Sequence, residues 1–243
     1  MKKIKIALYQ CRLKGFIPKN ILKILMKKKP DFLILPEYFF MNPLAKTPLD
    51  MGKDKDKNLE YLYSLSSLLP ETVIIGGSMI NFEKDRIYNT CFIFFDRRIV
   101  GQHHKKKLFG REIGKIDSGE KNEVLHLKGI SFSVLICADV LHEENFENLK
   151  EVEPDIIFIP TFSPYKDEVI PEKIKRDHEI FVHRSRMLDS YIVKVCGVNT
   201  PGHPYTIQGR SLISSPAGIL WRTPFHREND EIFKISVLKI NPK

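Results

Sequence analysis

Three ionisable residues sit where apolar runs end, and their types suit acyl chemistry. Phe132-Ser133-Val134-Leu135-Ile136 runs into Cys137, Leu33-Ile34-Leu35-Pro36 into Glu37, and Ile99-Val100-Gly101-Gln102-His103-His104 into Lys105-Lys106-Lys107. A thiol can attack a carbonyl carbon, a carboxylate can take and return its proton, and an ammonium can hold the oxyanion that forms. After Cys137 the chain turns polar, through Asp139 to Glu144, which predicts a helix whose first N–H groups favour the thiolate and add oxyanion donors. Each residue also admits a plainer role. Glu37 could be a solvated strand-end acid, although Tyr38-Phe39-Phe40 makes its surroundings apolar, where an unpaired carboxylate is costly. Lysines at a strand end guard edges. Asp139 reads as a helix N-cap rather than a catalyst, His103 and His104 as strand-end surface residues, and His142 as facing either pocket or solvent. Cys11, Cys91 and Cys196 read as packing.

Those three residues need strands to carry them. Lys3 to Gln10 alternates as a strand, Asn20 precedes a helical spacing that Pro30 stops, and Asp31 to Leu35 is a strand covered on both faces. Asn42 to Lys57, polar and holding Pro43, Pro48 and Gly52, predicts a loop near the site. Leu59, Leu62, Leu65 and Leu69 predict a second helix. Strands follow over 72–76, 88–96 and 98–102, with Asp96-Arg97 as a hairpin tip, and a loop over 109–123. Further strands are predicted over 123–127, 131–136 and 156–160, a helix over 172–189, and strands over 191–198, 209–214 and 231–240. The alternation predicts an α/β fold with two mixed sheets sandwiched between helices, in a single domain over 1–243.

Composition narrows the classes. The 243 residues, 42% of them hydrophobic, can bury a large core. Apolar runs fall short of the ~20 residues that span a bilayer. The basic start, Met1 to Leu8, is too short and too alternating for a signal peptide and reads as the first strand, so a cytoplasmic location is expected. Four widely spaced cysteines form neither a metal-ligand pattern nor a disulfide framework. The net charge of +9 is spread through helices and loops, with short clusters at Lys27-Lys28-Lys29 and Lys105-Lys106-Lys107. That distribution reads as a solvated surface rather than a nucleic-acid site.

Taken in order, these segments resemble the nitrilase superfamily of carbon–nitrogen hydrolases over nearly the whole chain. Lys5-Ile6-Ala7-Leu8-Tyr9-Gln10 is similar to the family's first strand and Pro30 to Glu37 to its general-base segment. Gly76-Gly77-Ser78 and Ile87-Tyr88-Asn89-Thr90 resemble its central hairpin. Lys105-Lys106-Lys107-Leu108-Phe109 is similar to its lysine motif and Ile136-Cys137-Ala138-Asp139 to its nucleophile motif. Pro154-Asp155-Ile156-Ile157, Gly209-Arg210-Ser211 and Ser215-Pro216-Ala217-Gly218 complete the order.

The resemblance implies a four-layer αββα sandwich, a triad of Glu37, Lys105 and Cys137, and no metal or organic cofactor. Register favours Lys105, three residues before Leu108, but strand alternation puts Lys107 on the same face, and both stay open. Glu112, seven residues before Gly119, takes the place of a second glutamate. Ala138, Asp139 and Phe162 join it as substrate-binding or auxiliary residues. The chain departs from the family at Ala138, Lys107, Glu143 and Asp189. The implied activity is hydrolysis of a small amide, ω-amide or carbamoyl compound, with a homodimer or larger homo-oligomer and no nucleic-acid or membrane partner. Two other classes stand beside it: an acyltransferase using the same thioester, and a catalytically silent basic binding module.

Overall fold

Alternation along the first strand sets the layers. In β1 (Lys2–Arg12), Ile4, Ile6 and Leu8 enter one apolar core while Ala7, Tyr9 and Cys11 enter another, so the strand is covered on both faces. The structure, a computed structural model, describes residues 1–42, 44–45, 47–200 and 206–243. After β1 come α1 (Lys19–Lys28), β2 (Phe32–Ile34), α2 (Pro48–Gly52), α3 (Lys55–Leu68), β3 (Val73–Ile75), β4 (Met79–Glu83), β5 (Arg86–Phe95) and β6 (Arg98–His104). The second half holds β7 (Val124–Leu127), β8 (Ile130–Val134), α4 (Glu144–Glu147), β9 (Ile156–Thr161), α5 (Ile170–Asp177), α6 (His183–Leu188), β10 (Tyr191–Val198), β11 (Leu212–Ser215), β12 (Gly218–Arg222) and β13 (Ile232–Ile240).

One half-sheet runs β13-β1-β2-β3-β5, with β4 and β6 paired to β5; the other runs β12-β11-β10-β9-β8-β7. They join where the end of β1 pairs parallel with β10, Cys11 opposite Gly197 and Arg12 opposite Val198. Beyond that seam the two faces pack together. The Phe32 ring lies 5.2 Å from Phe132 and 5.1 Å from Phe158, and the rest of this core is Ile, Val and Leu from both halves. Leu25 of α1 with Leu62 and Leu65 of α3 cover one outer face. Phe146 of α4, Leu188 of α6 and Phe181, from the turn between α5 and α6, cover the other. The α/β class is as expected, but the two sheets expected are halves of one continuous, curled 13-stranded sheet with helices on its outer faces. No helix among the described residues is long and apolar enough to cross a membrane.

Four local expectations need correction. Residues 48–57, read as loop, are largely helical. The Thr47 hydroxyl accepts from the Asp50 N–H (3.2 Å), Asp50 caps back, and Pro48 opens α2, so capping overrides polarity. Pro43 and Lys46 of that segment lie outside the described residues. Helix α3 starts at Lys55 rather than Leu59. The helix expected over 172–189 begins at Ile170 and passes through a π-helical turn, His178–Val182, between α5 and α6. Strands β4 and β12 were not anticipated; each is five residues long and pairs with one neighbour.

Candidate active site

Each of the three strand ends is locked by backbone. Past β2, Leu35 donates to the Ile75 carbonyl (3.0 Å), and Gly77 at φ 71° lies so close to the Pro36 carbonyl that a Cβ would stand 2.4 Å from it. This fixes Pro36-Glu37, with Tyr38 in the left-handed region at φ 55°. Past β6, the Lys105 N–H donates to the Asn89 carbonyl (2.8 Å) and its carbonyl accepts from Gly119 (2.9 Å). Gly119 has no room for a side chain against the His104 carbonyl. Past β8, Cys137 itself sits at φ 47°, a strained conformation for a side-chain-bearing residue that turns its sulfur into a cleft.

Glu37, Lys105 and Cys137 line that one cleft. The Lys105 ammonium, 2% exposed, lies 2.8 Å from Glu37 Oε1 and 2.7 Å from Glu112 Oε2. Asn89 Nδ2 bridges the two carboxylates, donating to Glu37 Oε1 (3.0 Å) and Glu112 Oε1 (2.8 Å). The Tyr38 hydroxyl donates to Glu112 Oε1 (2.5 Å) and the Phe109 N–H to Glu112 Oε2 (2.9 Å). Phe162 faces both reactive partners: its N–H donates to Glu37 Oε2 (2.7 Å), and the Cys137 thiol donates to its carbonyl (3.3 Å). Asn89 and Tyr38 escaped the sequence reading as partners. The signal available was that each directly adjoins or faces a motif already singled out, Tyr38 after Glu37 and Asn89 in the central hairpin.

Burial controls the protonation of this group. It raises the Glu37 carboxyl above its ordinary 4.5; Lys105 opposes that shift and Glu112 reinforces it. Burial works against the Lys105 charge, but Glu37, Cys137 and Glu112 together outweigh it and hold the ammonium above its ordinary range. The Cys137 thiol is pushed up by burial and by Glu37, with Lys105 pulling the other way. The expected helix N-terminus gives no relief. Residues Cys137–Leu141 form a five-residue 3₁₀ turn, and α4 that follows is four residues long, too short for the predicted dipole. The thiol therefore keeps its proton until a base removes it. Cys11, Cys91 and Cys196 are buried with their thiols also raised by burial.

Asp139 is not a helix N-cap but a buckle between two of the strand ends. Its Oδ1 accepts from the N–H groups of Lys106 (3.0 Å) and Lys107 (2.7 Å), and its Oδ2 from Ile136 N–H (2.9 Å). Oδ2 also pairs with His103 Nε2 at 3.0 Å, so His103, expected at the surface, is buried. His104 is half-buried, stacked on Tyr88 with ring centroids 4.1 Å apart. His142 faces solvent, and Asp189 is an exposed left-handed cap of α6. The Lys107 ammonium reaches Glu144 (2.6 Å), away from the cluster, because β6 ends at His104 and strand alternation stops there.

Two adjoining cavities share Cys137, Phe109, Phe162 and Pro164. The first, about 230 Å³, holds Glu37, Lys105 and Glu112 under an apolar wall that includes Met41 and Met51. The second, about 450 Å³, runs past Ala138 to Gln208 and Lys194.

A family model described as carbon-nitrogen hydrolase matches residues 6–238. The chloroplastic omega-amidase of Arabidopsis thaliana is 25% identical over 222 residues, covering 83% of this chain and 57% of that protein. The chain thus spans little more than half the length of this curated relative. Among solved structures, glutamine-dependent NAD+ synthetase from Acinetobacter baumannii matches with TM-score 0.79 and 21% identity, over 98% of this chain and 46% of that one. Saccharomyces cerevisiae Nit3, of branch 10 of the nitrilase superfamily, matches with TM-score 0.78 and 21% identity, over 98% and 90%. A variant of the Nesterenkonia AN1 amidase matches with TM-score 0.75 and 16% identity, over 97% and 90%. The structural likenesses concern the fold.

Proposed function

The chain belongs to the carbon–nitrogen hydrolase family, and from that premise we propose that it hydrolyses the C–N bond of a small amide through a thioester on Cys137. The observation that supports this reading is the meeting of a base, an ammonium and a half-buried thiol in one cleft, with Lys105 only 2.8 Å from Glu37.

Glu37 takes the thiol proton as sulfur attacks the carbonyl carbon. The oxyanion forms beside the Lys105 ammonium and the Ala138 N–H, which has no hydrogen-bond partner among the described residues, whereas the Asp139 N–H is committed to Ile136 (3.0 Å). Collapse breaks the C–N bond, and Glu37 hands the proton to the leaving nitrogen. A water then gives its proton to Glu37 and attacks the thioester, releasing the acid and the free thiol. Glu112 positions Lys105, and Asn89 and Tyr38 position Glu112. The raised Glu37 carboxyl suits a group that must hold a proton between the two half-reactions.

The omega-amidase relative makes ω-amides the first substrates to try, beside simple amides and carbamoyl compounds. The proposed working unit is a single catalytic domain over 1–243, in the cytoplasm, assembled as a homodimer or larger homo-oligomer and acting on a small molecule without nucleic acid or membrane. Exposed apolar side chains, Leu141 and Tyr165 at the second cavity and Val169 and Ile170 at the start of α5, support the assembly. Ammonia release from a panel of small amides tests the activity. Wild type should release it and Cys137→Ala should not, at an unchanged melting temperature. Equal release by both would overturn the reading, and an ester or amide product in place of the acid would make the enzyme an acyltransferase.

A further inference from the structure

The second cavity overlies a group of buried charges that is out of balance. Arg210 donates to Asp177 (3.1 Å) and Glu168 (3.3 Å), Arg222 to Asp177 (3.2 Å), Arg176 to Glu168 (2.6 Å) and Lys173 to Glu228 (2.7 Å). Those four cations already share three carboxylates, and the exposed Lys166 also reaches Glu168 (3.1 Å). Lys194, on β10, adds a further cation at the cavity wall. It is 7% exposed, and among the described residues no carboxylate lies within 4.0 Å of its ammonium. Its contacts are the face of Phe181, 4.9 Å away, and the Cys196 thiol, and its charge acts on Asp177 at longer range. A ring face offsets only part of the cost of burying an ammonium. A buried ammonium that faces a cavity with no carboxylate within ion-pair distance is a recognition group for an anion.

We propose that this cavity receives a carboxylate carried by the acyl half of the substrate, with Lys194 as its charge partner. The proposal rests on the amide-hydrolase reading above. The direction follows from the proton path. Glu37, which must protonate the leaving nitrogen, lines the first cavity and not the second, while Cys137 lines both. The leaving group therefore faces Glu37, and the acyl chain runs past Ala138 towards Lys194. A volume of about 450 Å³ accommodates a chain of several carbons.

The test compares glutaramate with pentanamide, which carries a methyl where glutaramate has the carboxylate. Wild type should favour glutaramate at least tenfold in kcat/KM. That preference ratio should fall at least tenfold in Lys194→Met and recover in part in Lys194→Arg. In wild type, glutarate should inhibit competitively and at least tenfold more tightly than pentanoate, which decides the matter even if Lys194→Met fails to fold. Cys137-dependent turnover of pentanamide with no carboxylate preference, or a preference ratio unmoved in a folded Lys194→Met, would overturn this inference alone. No turnover of any amide would remove the hydrolase reading and this inference with it.

Discussion

The cleft and the floor of the adjoining cavity are both buried clusters of charge, and they err in opposite directions. Around Lys105, two carboxylates and a thiol face a single ammonium. Around Arg210, cations outnumber carboxylates. A site short of positive charge holds on to a proton, which is what burial does to Glu37. A site short of negative charge attracts an anion. Buried ion pairs are poor stabilisers when compared with well-packed apolar groups. Two such clusters side by side therefore point to use, and the sign of each imbalance indicates what it is used for.

Substitutions in the first cluster should separate it sharply from the second. Glu37→Gln removes the proposed proton carrier and should lower kcat about 10²- to 10⁴-fold, the range for a positioned acid–base. In wild type, the acid limb of kcat/KM should lie above pH 4.5, because the base form exists only above the raised Glu37 value. Stability carries the same signature. An acid whose folded value is raised contributes fully below the unfolded value and loses that contribution as pH rises through the folded one. Melting curves recorded upward from pH 4.5 should therefore show wild type losing stability relative to Glu37→Gln. Parallel curves would mean Glu37 is not perturbed. Lys105→Met removes the proposed oxyanion donor and leaves Glu37 and Glu112 without their cation. It should cost about 10²- to 10³-fold in kcat and about 3–5 kcal/mol of stability by denaturant titration. In the second cluster, Arg210→Met leaves Asp177, Glu168 and Glu228 each with another cation, so it should cost less, about 1–3 kcal/mol, and change kcat on neutral amides less than about threefold, within the small scatter of changes away from reacting atoms. A large kcat effect from Arg210→Met would erase the distinction between the two clusters.

Much of this arrangement is legible in the sequence because an apolar run that stops on an ionisable residue marks both a strand and the mouth of a cleft. Glu37, Cys137 and the lysines at 105–107 are placed together by that logic, whereas the choice of Lys105 and the place of Glu112 come from the family resemblance. Partners across long stretches are not legible in the same way. A polar residue at a strand end looks the same whether water or a distant carboxylate satisfies it, which is why His103 reads as surface and Asp139 as a cap. The Lys105 and Lys107 ambiguity arises from extending strand alternation beyond His104, where β6 has ended. Helix α2 hides in polar residues because its start depends on Thr47, Pro48 and Asp50 rather than on apolar spacing. Lys194 lies in an otherwise apolar strand, and nothing in the local pattern reveals that its ammonium meets a cavity instead of a carboxylate.

The chemistry assigned to Cys137 is tested most directly by acid-quenching the enzyme during turnover of a small amide and mapping its peptides by mass spectrometry. The account predicts a mass increase equal to the acyl half of the amide, confined to the peptide containing Cys137 and absent from Cys137→Ala. Turnover that persists in Cys137→Ala, or an acyl group found on another residue, would contradict it.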